Sequence, residues 1–323
     1  MVSFRGKLVK GLVEHGTDIS FNLADTPYDS VLVIGGTRDL PGLWRARRNG
    51  VRIVQRLDGM NWIHRKRRTG WRHFLRAEYG NLLLSVIRSR LADQIVYQSE
   101  FSQRWWERVY GVDATPWSVV YNGVDLVTYS PTGTGKIPEE LVRILLVEGT
   151  IGGGYEWGLE AAIQMAELVK NGINSPVEVM VVGRVSRSLE QEWKGRTDIQ
   201  VVFTGQVPSE KIPEHDRSAH VLYAADLNAA CPNSVIEAMA CGLPVVAFDT
   251  GALAELVSAG AGRLVPYGGD PWKLDPPDIK GLADAARTII QSQAGFRRAA
   301  RRRAEEAFGL DQMVDGYLKA LFV

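Results

Sequence analysis

Short apolar runs alternate with amphipathic segments along the chain, and this alternation constrains the fold more than any other feature. In the second half the apolar runs are residues 142–148, 177–183, 199–204, 221–225, 245–248 and 262–265. Each run ends at Gly, Pro or a polar turn, and amphipathic segments such as 156–170, 233–241 and 281–291 fit between them. The pattern predicts parallel strands covered by helices, a doubly wound α/β domain with sites at the carboxyl ends of its strands.

The first half repeats this pattern less regularly. We predict strands at 31–36, 51–57, 94–99 and 118–122, and helices at 4–14, 40–48, 71–91 and 101–110. The 323 residues exceed what one hydrophobic core usually fills, and the Pro-, Gly- and Thr-rich segment 129–135 is typical of a linker. We therefore predict two Rossmann-like domains facing each other across a cleft, with the boundary between residues 130 and 136.

Both ends of the chain carry expectations of their own. The sequence begins almost at the helix 4–14, so we expect the first domain to lack its first strand. Near the other end, Met313, Tyr317, Leu318 and Leu321 form one apolar stripe at helical spacing. The stripe is too apolar for a free tail, so we expect the helix 312–322 to pack against one of the two domains.

The net charge of +1 conceals an asymmetry between the two halves. Residues 1–135 carry 19 Lys and Arg against 12 Asp and Glu, and residues 136–323 carry 19 against 25. The densest basic patch comprises Arg65, Lys66, Arg67, Arg68, Arg72 and Arg76. It is interpreted as a solvated helix face, as a contact with an anionic membrane surface or as a contact with a phosphate-bearing acceptor. Nucleic acid is disfavoured, because aromatic residues do not interleave with the basic ones as in a stacking platform.

Several classes are excluded by composition. No apolar run is long enough for a membrane-spanning helix, and the first ten residues lack the apolar core of a signal peptide. Cys231 and Cys241 cannot form a disulfide framework, and no histidine has metal-ligand spacing. We therefore predict a cytoplasmic protein without a metal site.

Two motifs resemble glycosyltransferase family 4. The first is Tyr-Asn-Gly-Val-Asp at 121–125, followed by Tyr129 and Pro131, and the second is the sixteen-residue stretch 232–247, continued by Gly251 and Glu255. The resemblance implies the GT-B fold, in which the final helix, here 312–322, packs back on the first domain. The two domains would then be residues 1–130 with 311–323 and residues 136–310. The resemblance also implies a retaining transfer of sugar from a nucleoside diphosphate sugar to an acceptor hydroxyl. It implies no metal and no cofactor, with the nucleotide sugar as co-substrate. The acceptor would be a saccharide, a lipid-linked molecule or a small molecule.

The predicted donor site lies in the second domain. A glutamate near the start of a helix can accept both ribose hydroxyls, which suits Glu237, and Asn233 and Ser234 at the same helix N-terminus favour a diphosphate. The resemblance adds Val235 to this group and places Val207 at the nucleotide base. The remaining candidates are Gly152 and Gly153, in a glycine-rich loop that lets a phosphate approach the backbone, and Arg184 at a neighbouring strand end.

The chain also departs from the family at positions that bear on catalysis. Ala229 replaces the first glutamate of the family's pair, and Thr150 and Trp157 stand where an Arg and a Lys usually bind the diphosphate. The family's histidine in the first domain is missing, and Arg56 and Asp58 occupy its neighbourhood as the candidate catalytic residues. A protein that binds nucleotide sugars without turnover is therefore the alternative to an active transferase, and an epimerase of the same fold is a third, disfavoured reading.

Overall fold

The computed structural model of the chain describes residues 2–67, 70–152, 156–258 and 260–323. The chain divides into two compact units, Met1–Gly123 with Phe308–Val323, and Val124–Ala307. The sequence placed these boundaries a few residues later, at 130 and 311. Arg301 accounts for the position of the first boundary, because its guanidinium donates to the carbonyls of Leu126 at 3.2 Å and Tyr129 at 2.8 Å. These bonds hold the segment after Gly123 to the second unit.

The predicted strands are all present, with ends shifted by a few residues. In the first unit the elements are α1 (Val2–Glu14), β1 (Ser30–Ile34), α2 (Leu40–Arg48), β2 (Arg52–Leu57), α3 (Trp71–Arg90), β3 (Gln94–Tyr97), α4 (Glu100–Tyr110) and β4 (Trp117–Val119). In the second unit they are β5 (Val142–Ile151), α5 (Trp157–Lys170), β6 (Val177–Val185), α6 (Arg187–Arg196), β7 (Gln200–Gly205), α7 (Ile212–Arg217), β8 (Val221–Ala224), α8 (Asn233–Ala240), β9 (Val245–Phe248), α9 (Leu253–Leu256), β10 (Gly262–Val265), α10 (Ile279–Gln291) and α11 (Gln293–Ala307). The last helix, α12 (Leu310–Phe322), returns to the first unit.

The first unit is a parallel sheet in the order β1-β2-β3-β4, with helices on both faces. Neighbouring side chains of β2 point to opposite faces, so Ile53 joins a core with α2 and α3 while Val54 joins a core with α1 and α12. As the sequence predicted, the first strand of the described residues, β1, follows a helix, and it forms one edge of the sheet.

The C-terminal helix completes the core of the first unit. Tyr317 of α12 is fully buried, and its ring centroid lies 5.3 Å from that of Phe4 in α1. Met313 and Leu321 pack in the same cluster, against Val54 of β2. The expectation that this apolar stripe packs on the first unit is therefore confirmed.

The second unit is a doubly wound parallel sheet in the order β10-β9-β8-β5-β6-β7. The chain first builds outward from β5 to β7 and then returns to build outward from β8 to β10, so the order reverses between β5 and β8. The segment predicted as a linker packs on this unit, where Arg217 donates to the carbonyls of Thr134 at 2.6 Å and Ser130 at 3.1 Å. Within the part of the chain that the structure describes, no helix is both long enough and apolar enough to cross a bilayer.

We predict that Tyr317→Ala destabilises the first unit by about 3–5 kcal/mol, because it removes a fully buried aromatic ring and leaves a cavity. Phe322→Ala on the same helix is the matched control, since that ring is half exposed and should cost less than about 1 kcal/mol. Urea unfolding followed by circular dichroism measures both. Equal midpoints for the two variants would contradict the packing of α12.

Candidate functional site

A cleft of about 350 Å³ lies at the carboxyl ends of the strands in the second unit. It opens where the strand order reverses between β5 and β8, which is where open parallel sheets bind ligands. The ends of β5, β6 and β7, the loop after β8 and the start of α8 all contribute to it. Its polar lining side chains are Glu148, Gln206, Asp226, Asn233, Ser234 and Glu237.

A β-bulge near the end of β5 sets the backbone direction at Glu148. Val147 pairs with Val182 and Thr150 with Arg184, so two residues of β5 lie opposite the single residue Gly183 of β6. Gly183 has a φ of +143°, and a Cβ at this position would overlap the carbonyl oxygen of Glu148. Only glycine allows the two strands to approach this closely.

Glu148 and Asp226 are two carboxyl groups in the same cleft. Desolvation by the surrounding protein and, secondarily, the charge of Asp226 raise the pKa of Glu148 to about 8. Desolvation also raises the pKa of Asp226 to about 6, although part of that residue's surface is exposed at the cleft. Glu148 therefore carries a proton at neutral pH, and the pair bears less negative charge than two ordinary carboxylates would.

The start of α8 forms the opposite wall of the cleft. The first backbone N–H groups of a helix have no intrahelical acceptor, and Pro232, which precedes α8, provides no side chain to accept from them. Asn233 and Ser234 line the cleft beside these groups, and Glu237 follows one turn later. The helix dipole makes this wall favourable for an anion. Val235, predicted with them, is fully buried behind the wall.

A buried carboxyl group, that of Asp216, interacts electrostatically with Glu237. Asp216 of α7 is buried, and desolvation together with the charge of Glu237 raises its pKa well above the ordinary value. Asp216 therefore favours its neutral form more than an ordinary carboxyl group does.

The end of β7 carries two lining residues, Gln206 and Val207. The register with β6 shifts immediately before them, which turns the chain into the cleft. Arg184 is exposed and lies outside the lining, but its Nη2 donates to Gln206 Oε1 at 2.9 Å. Val207 thus lines the cleft, whereas Arg184 contacts a lining residue, Gln206, from outside it.

The remaining predicted positions of the second unit lie outside the cleft lining. Gly152 is not part of the lining, and Gly153 lies outside the described residues. Thr150 is exposed, and Trp157 is partly buried, with no hydrogen-bond partner for its Nε1 among the described residues. Ala229 is buried, and its carbonyl accepts from the Ala252 N–H at 2.9 Å. Consequently, none of the described residues that line the cleft is a lysine or an arginine.

Sequence reasoning missed Glu148, Asp226 and Gln206. A detectable signal existed, because Glu148 and Asp226 are acidic residues directly after apolar runs, and the ends of neighbouring parallel strands share one edge of a sheet. Their altered pKa values come from burial in the folded unit, which the sequence pattern does not report.

Arg56 and Asp58 lie at the carboxyl end of β2 in the first unit. The Arg56 guanidinium is buried 3.7 Å from the centroid of the Phe4 ring, and its Nη2 donates to Asn122 Oδ1 at 3.1 Å. Asp58 is partly exposed, 3.8 Å from Arg56, and its main-chain carbonyl accepts from Trp106 Nε1 at 2.7 Å. Arg56 thus lies within ion-pair distance of Asp58, and of these two residues only Asp58 presents its side chain to solvent.

A buried histidine lies farther along the same loop. The His64 Nε2 is 2.7 Å from Glu78 Oε1, and Arg65 Nη2 donates to Glu78 Oε2 at 2.7 Å. The bond from Arg65, with that from His64, lowers the pKa of Glu78 to about 2. The His64 side chain is buried in this arrangement and is inaccessible to solvent. Across the described ranges, no group of three metal-ligating side chains is arranged to hold an ion.

Two family models match the chain, one in each unit. A family model described as "Glycosyl transferases group 1" matches residues 143–292, and one described as "Glycosyltransferase Family 4" matches residues 18–128. The chain belongs to glycosyltransferase family 4. The first model covers the sheet of the second unit and its cleft, and the second covers the sheet of the first unit.

Named relatives agree with this family membership. The chain is 31% identical over 207 residues to a phosphatidyl-myo-inositol mannosyltransferase of Mycolicibacterium smegmatis, a match that covers 61% of this chain and 49% of the relative. It is 30% identical over 245 residues to a D-inositol 3-phosphate glycosyltransferase of Geodermatophilus obscurus, covering 71% of this chain and 52% of the relative. The chain therefore spans about half the length of these relatives.

A solved structure shows the fold. HepE of Anabaena, crystallised in complex with UDP and glucose, superposes with a TM-score of 0.66 at 19% identity, covering 91% of this chain and 78% of HepE. The GT-B class predicted from the sequence, with two parallel-sheet α/β units, is confirmed. The prediction that the two units face each other across a cleft stays a prediction.

We predict that Gly183→Ala destabilises the second unit by more than about 2 kcal/mol and abolishes ligand binding in the cleft, because the added Cβ overlaps the Glu148 carbonyl. Gly149→Ala, directly across the bulge, is the matched control, since a Cβ there meets no atom within 4 Å. Thermal unfolding compares the two variants. If Gly183→Ala, Gly149→Ala and the wild type have the same melting temperature, the bulge does not require a glycine at position 183.

Proposed function

We propose that the chain is a retaining glycosyltransferase whose cleft in the second unit binds a nucleoside diphosphate sugar. The observation that carries this proposal is the position of Glu237 and the α8 N-terminus in a cleft at the point where the strand order reverses. Membership of family 4 supports the reaction class, and the UDP in the HepE crystal supports a nucleoside diphosphate as the leaving group.

Each lining group has a proposed role toward the donor. Glu237 accepts the two ribose hydroxyls, and the N–H groups at Asn233 and Ser234 bind the diphosphate. Val207 contacts the base. Arg184 positions Gln206 through the 2.9 Å bond between them. The glycine loop, with Gly152 and Gly153, would let a phosphate approach the backbone closely.

The proposed chemistry needs few groups from the protein. The bond from the sugar's anomeric carbon to the diphosphate breaks, and a bond from that carbon to the acceptor oxygen forms on the same face. The acceptor's hydroxyl proton passes to the leaving diphosphate. Asp58, oriented by Arg56, would hydrogen-bond the acceptor, and the protein contributes positioning rather than a metal or a cofactor.

The acceptor is proposed from the relatives' names. One relative is named for phosphatidyl-myo-inositol and another for D-inositol 3-phosphate. Both names refer to inositol, a polyhydroxylated cyclohexane. We propose an acceptor of this cyclitol type, either free or lipid-linked, for a protein that works in the cytoplasm. Nucleic acid has no role in this proposal.

The charge of the cleft favours a second candidate function, a protein that binds nucleotide sugars without turnover. Glu148, Asp226 and Glu237 line the cleft, whereas no described lining residue is cationic. Such a cleft gives less stabilisation to a departing diphosphate than one with Arg and Lys. A transfer assay with a panel of nucleotide sugars and cyclitol acceptors separates the two functions, since nucleotide binding without product supports the second.

We predict that Glu237→Gln weakens the binding of the preferred nucleotide, UDP or GDP, by about 10-fold to 100-fold, since it removes a charge-assisted hydrogen bond worth about 1.5–3 kcal/mol. Isothermal calorimetry measures the affinity. Glu160→Gln on the exposed face of α5 is the control and should leave binding unchanged. Unchanged affinity in Glu237→Gln would contradict the assignment of Glu237 to the ribose hydroxyls.

We also predict that nucleotide affinity falls as pH rises from about 7 to about 9, the range in which Glu148 loses its proton. The folded protein favours protonated Glu148, so ionisation places a new negative charge beside the bound diphosphate. Asp226 is already ionised in this range, and the diphosphate gains no further charge above about pH 7.

Glu148→Gln tests this assignment, because it keeps the side-chain shape and cannot ionise. Its affinity profile should be flat over the same pH range. A profile that declines equally in Glu148→Gln would assign the pH dependence to another group.

A further inference from the structure

One face of α3 carries a row of large apolar side chains that no element of the described ranges covers. Trp71, Leu75, Tyr79 and Leu82 are each more than half exposed. Their spacing places them on one side of the helix, along about 16 Å of its length. Phe74 lies in the same exposed first turns and is also exposed. We call the four residues 71, 75, 79 and 82, with Phe74, the α3 stripe.

Basic residues without a described carboxylate partner precede α3 and lie on its first turns. Lys66 and Arg67 precede the helix and are exposed, and Arg72 and Arg76 lie on its first turns. None of these four described side chains lies within ion-pair distance of a described carboxylate. Arg65 differs from them, because it is bound to Glu78, so the sequence-defined basic patch contains one residue that is already neutralised.

The combination limits what can cover this surface. A merely solvated basic helix has no need of tryptophan, tyrosine and leucine in an exposed row. Tryptophan and tyrosine favour the boundary between lipid headgroups and acyl chains, and leucine favours the acyl side. Lysine and arginine beside such a row are attracted to anionic headgroups.

We propose that the α3 stripe and its four basic neighbours form a peripheral binding surface for an anionic lipid bilayer. The apolar side chains enter the interface, and the basic side chains contact the headgroups. This surface belongs to the first unit alone and does not depend on the proposed transfer reaction, so it can fail while that function stands.

Vesicle co-sedimentation tests the proposal on the full chain. Wild-type protein should pellet with vesicles that contain phosphatidylglycerol and remain in the supernatant with pure phosphatidylcholine. Raising salt from about 0.15 M to about 1 M should weaken pelleting, because it screens the basic residues.

Two variants separate the apolar and the charged contributions. Trp71→Ser with Leu75→Ser removes apolar side chains and keeps every charge, and Arg72→Gln with Arg76→Gln removes charge and keeps the stripe. Each pair should weaken binding about tenfold or more. Matched controls are Phe21→Ser, an exposed ring elsewhere in the first unit, and Arg187→Gln with Lys280→Gln, two exposed cations in the second unit. The controls should bind as the wild type does.

All changes are at exposed positions, so circular dichroism should show an unaltered fold. Equal pelleting of the wild type and both stripe variants would overturn the proposal. It would also be overturned if wild-type protein ignored anionic vesicles and formed a dimer that Trp71→Ser with Leu75→Ser dissociated, because the stripe would then be a self-association surface.

Discussion

The cleft depends on the close approach of β5 and β6 at Glu148 and Gly183. A bulge in β5 places two residues opposite one, and the missing side chain of Gly183 leaves room for the Glu148 carbonyl. Because β5 lies at the point where the strand order reverses, this local irregularity occurs at the edge where the sheet can bind a ligand. Backbone packing therefore decides where an acidic side chain meets the start of α8.

The electrostatics of the cleft combine features that oppose each other. The α8 N-terminus favours an anion, whereas Glu148, Asp226 and Glu237 bring acidic groups to the same space. Desolvation reduces this conflict, because it keeps Glu148 protonated at neutral pH and also raises the pKa of the buried Asp216. A diphosphate can then meet backbone N–H groups without the full repulsion of several carboxylates.

In the first unit, helices cover both faces of a parallel sheet. Successive residues of β2 enter opposite cores, and α12 supplies Tyr317 to one of them from the far end of the chain. The Tyr317 ring packs against Phe4 away from water, and this burial of apolar surface contributes several kcal/mol to the free energy of unfolding. With both cores closed, the apolar row on α3 remains outside, and its exposure gives the basic residues beside it a specific interpretation.

The sequence by itself determined the strands, the parallel α/β class, the family and the packing of α12, because these follow from apolar periodicity and from a long motif. It also predicted Asn233, Ser234, Glu237 and Val207 as site residues, and all four line the cleft of the second unit. These residues lie in one stretch or at strand ends. Only the tertiary structure decided that Arg56 is buried, that Arg184 hydrogen-bonds Gln206, and that Glu148 and Asp226 share the cleft. The physical reason is that burial, register and charge coupling arise between residues distant in sequence, whereas periodicity reports only the face on which each residue lies.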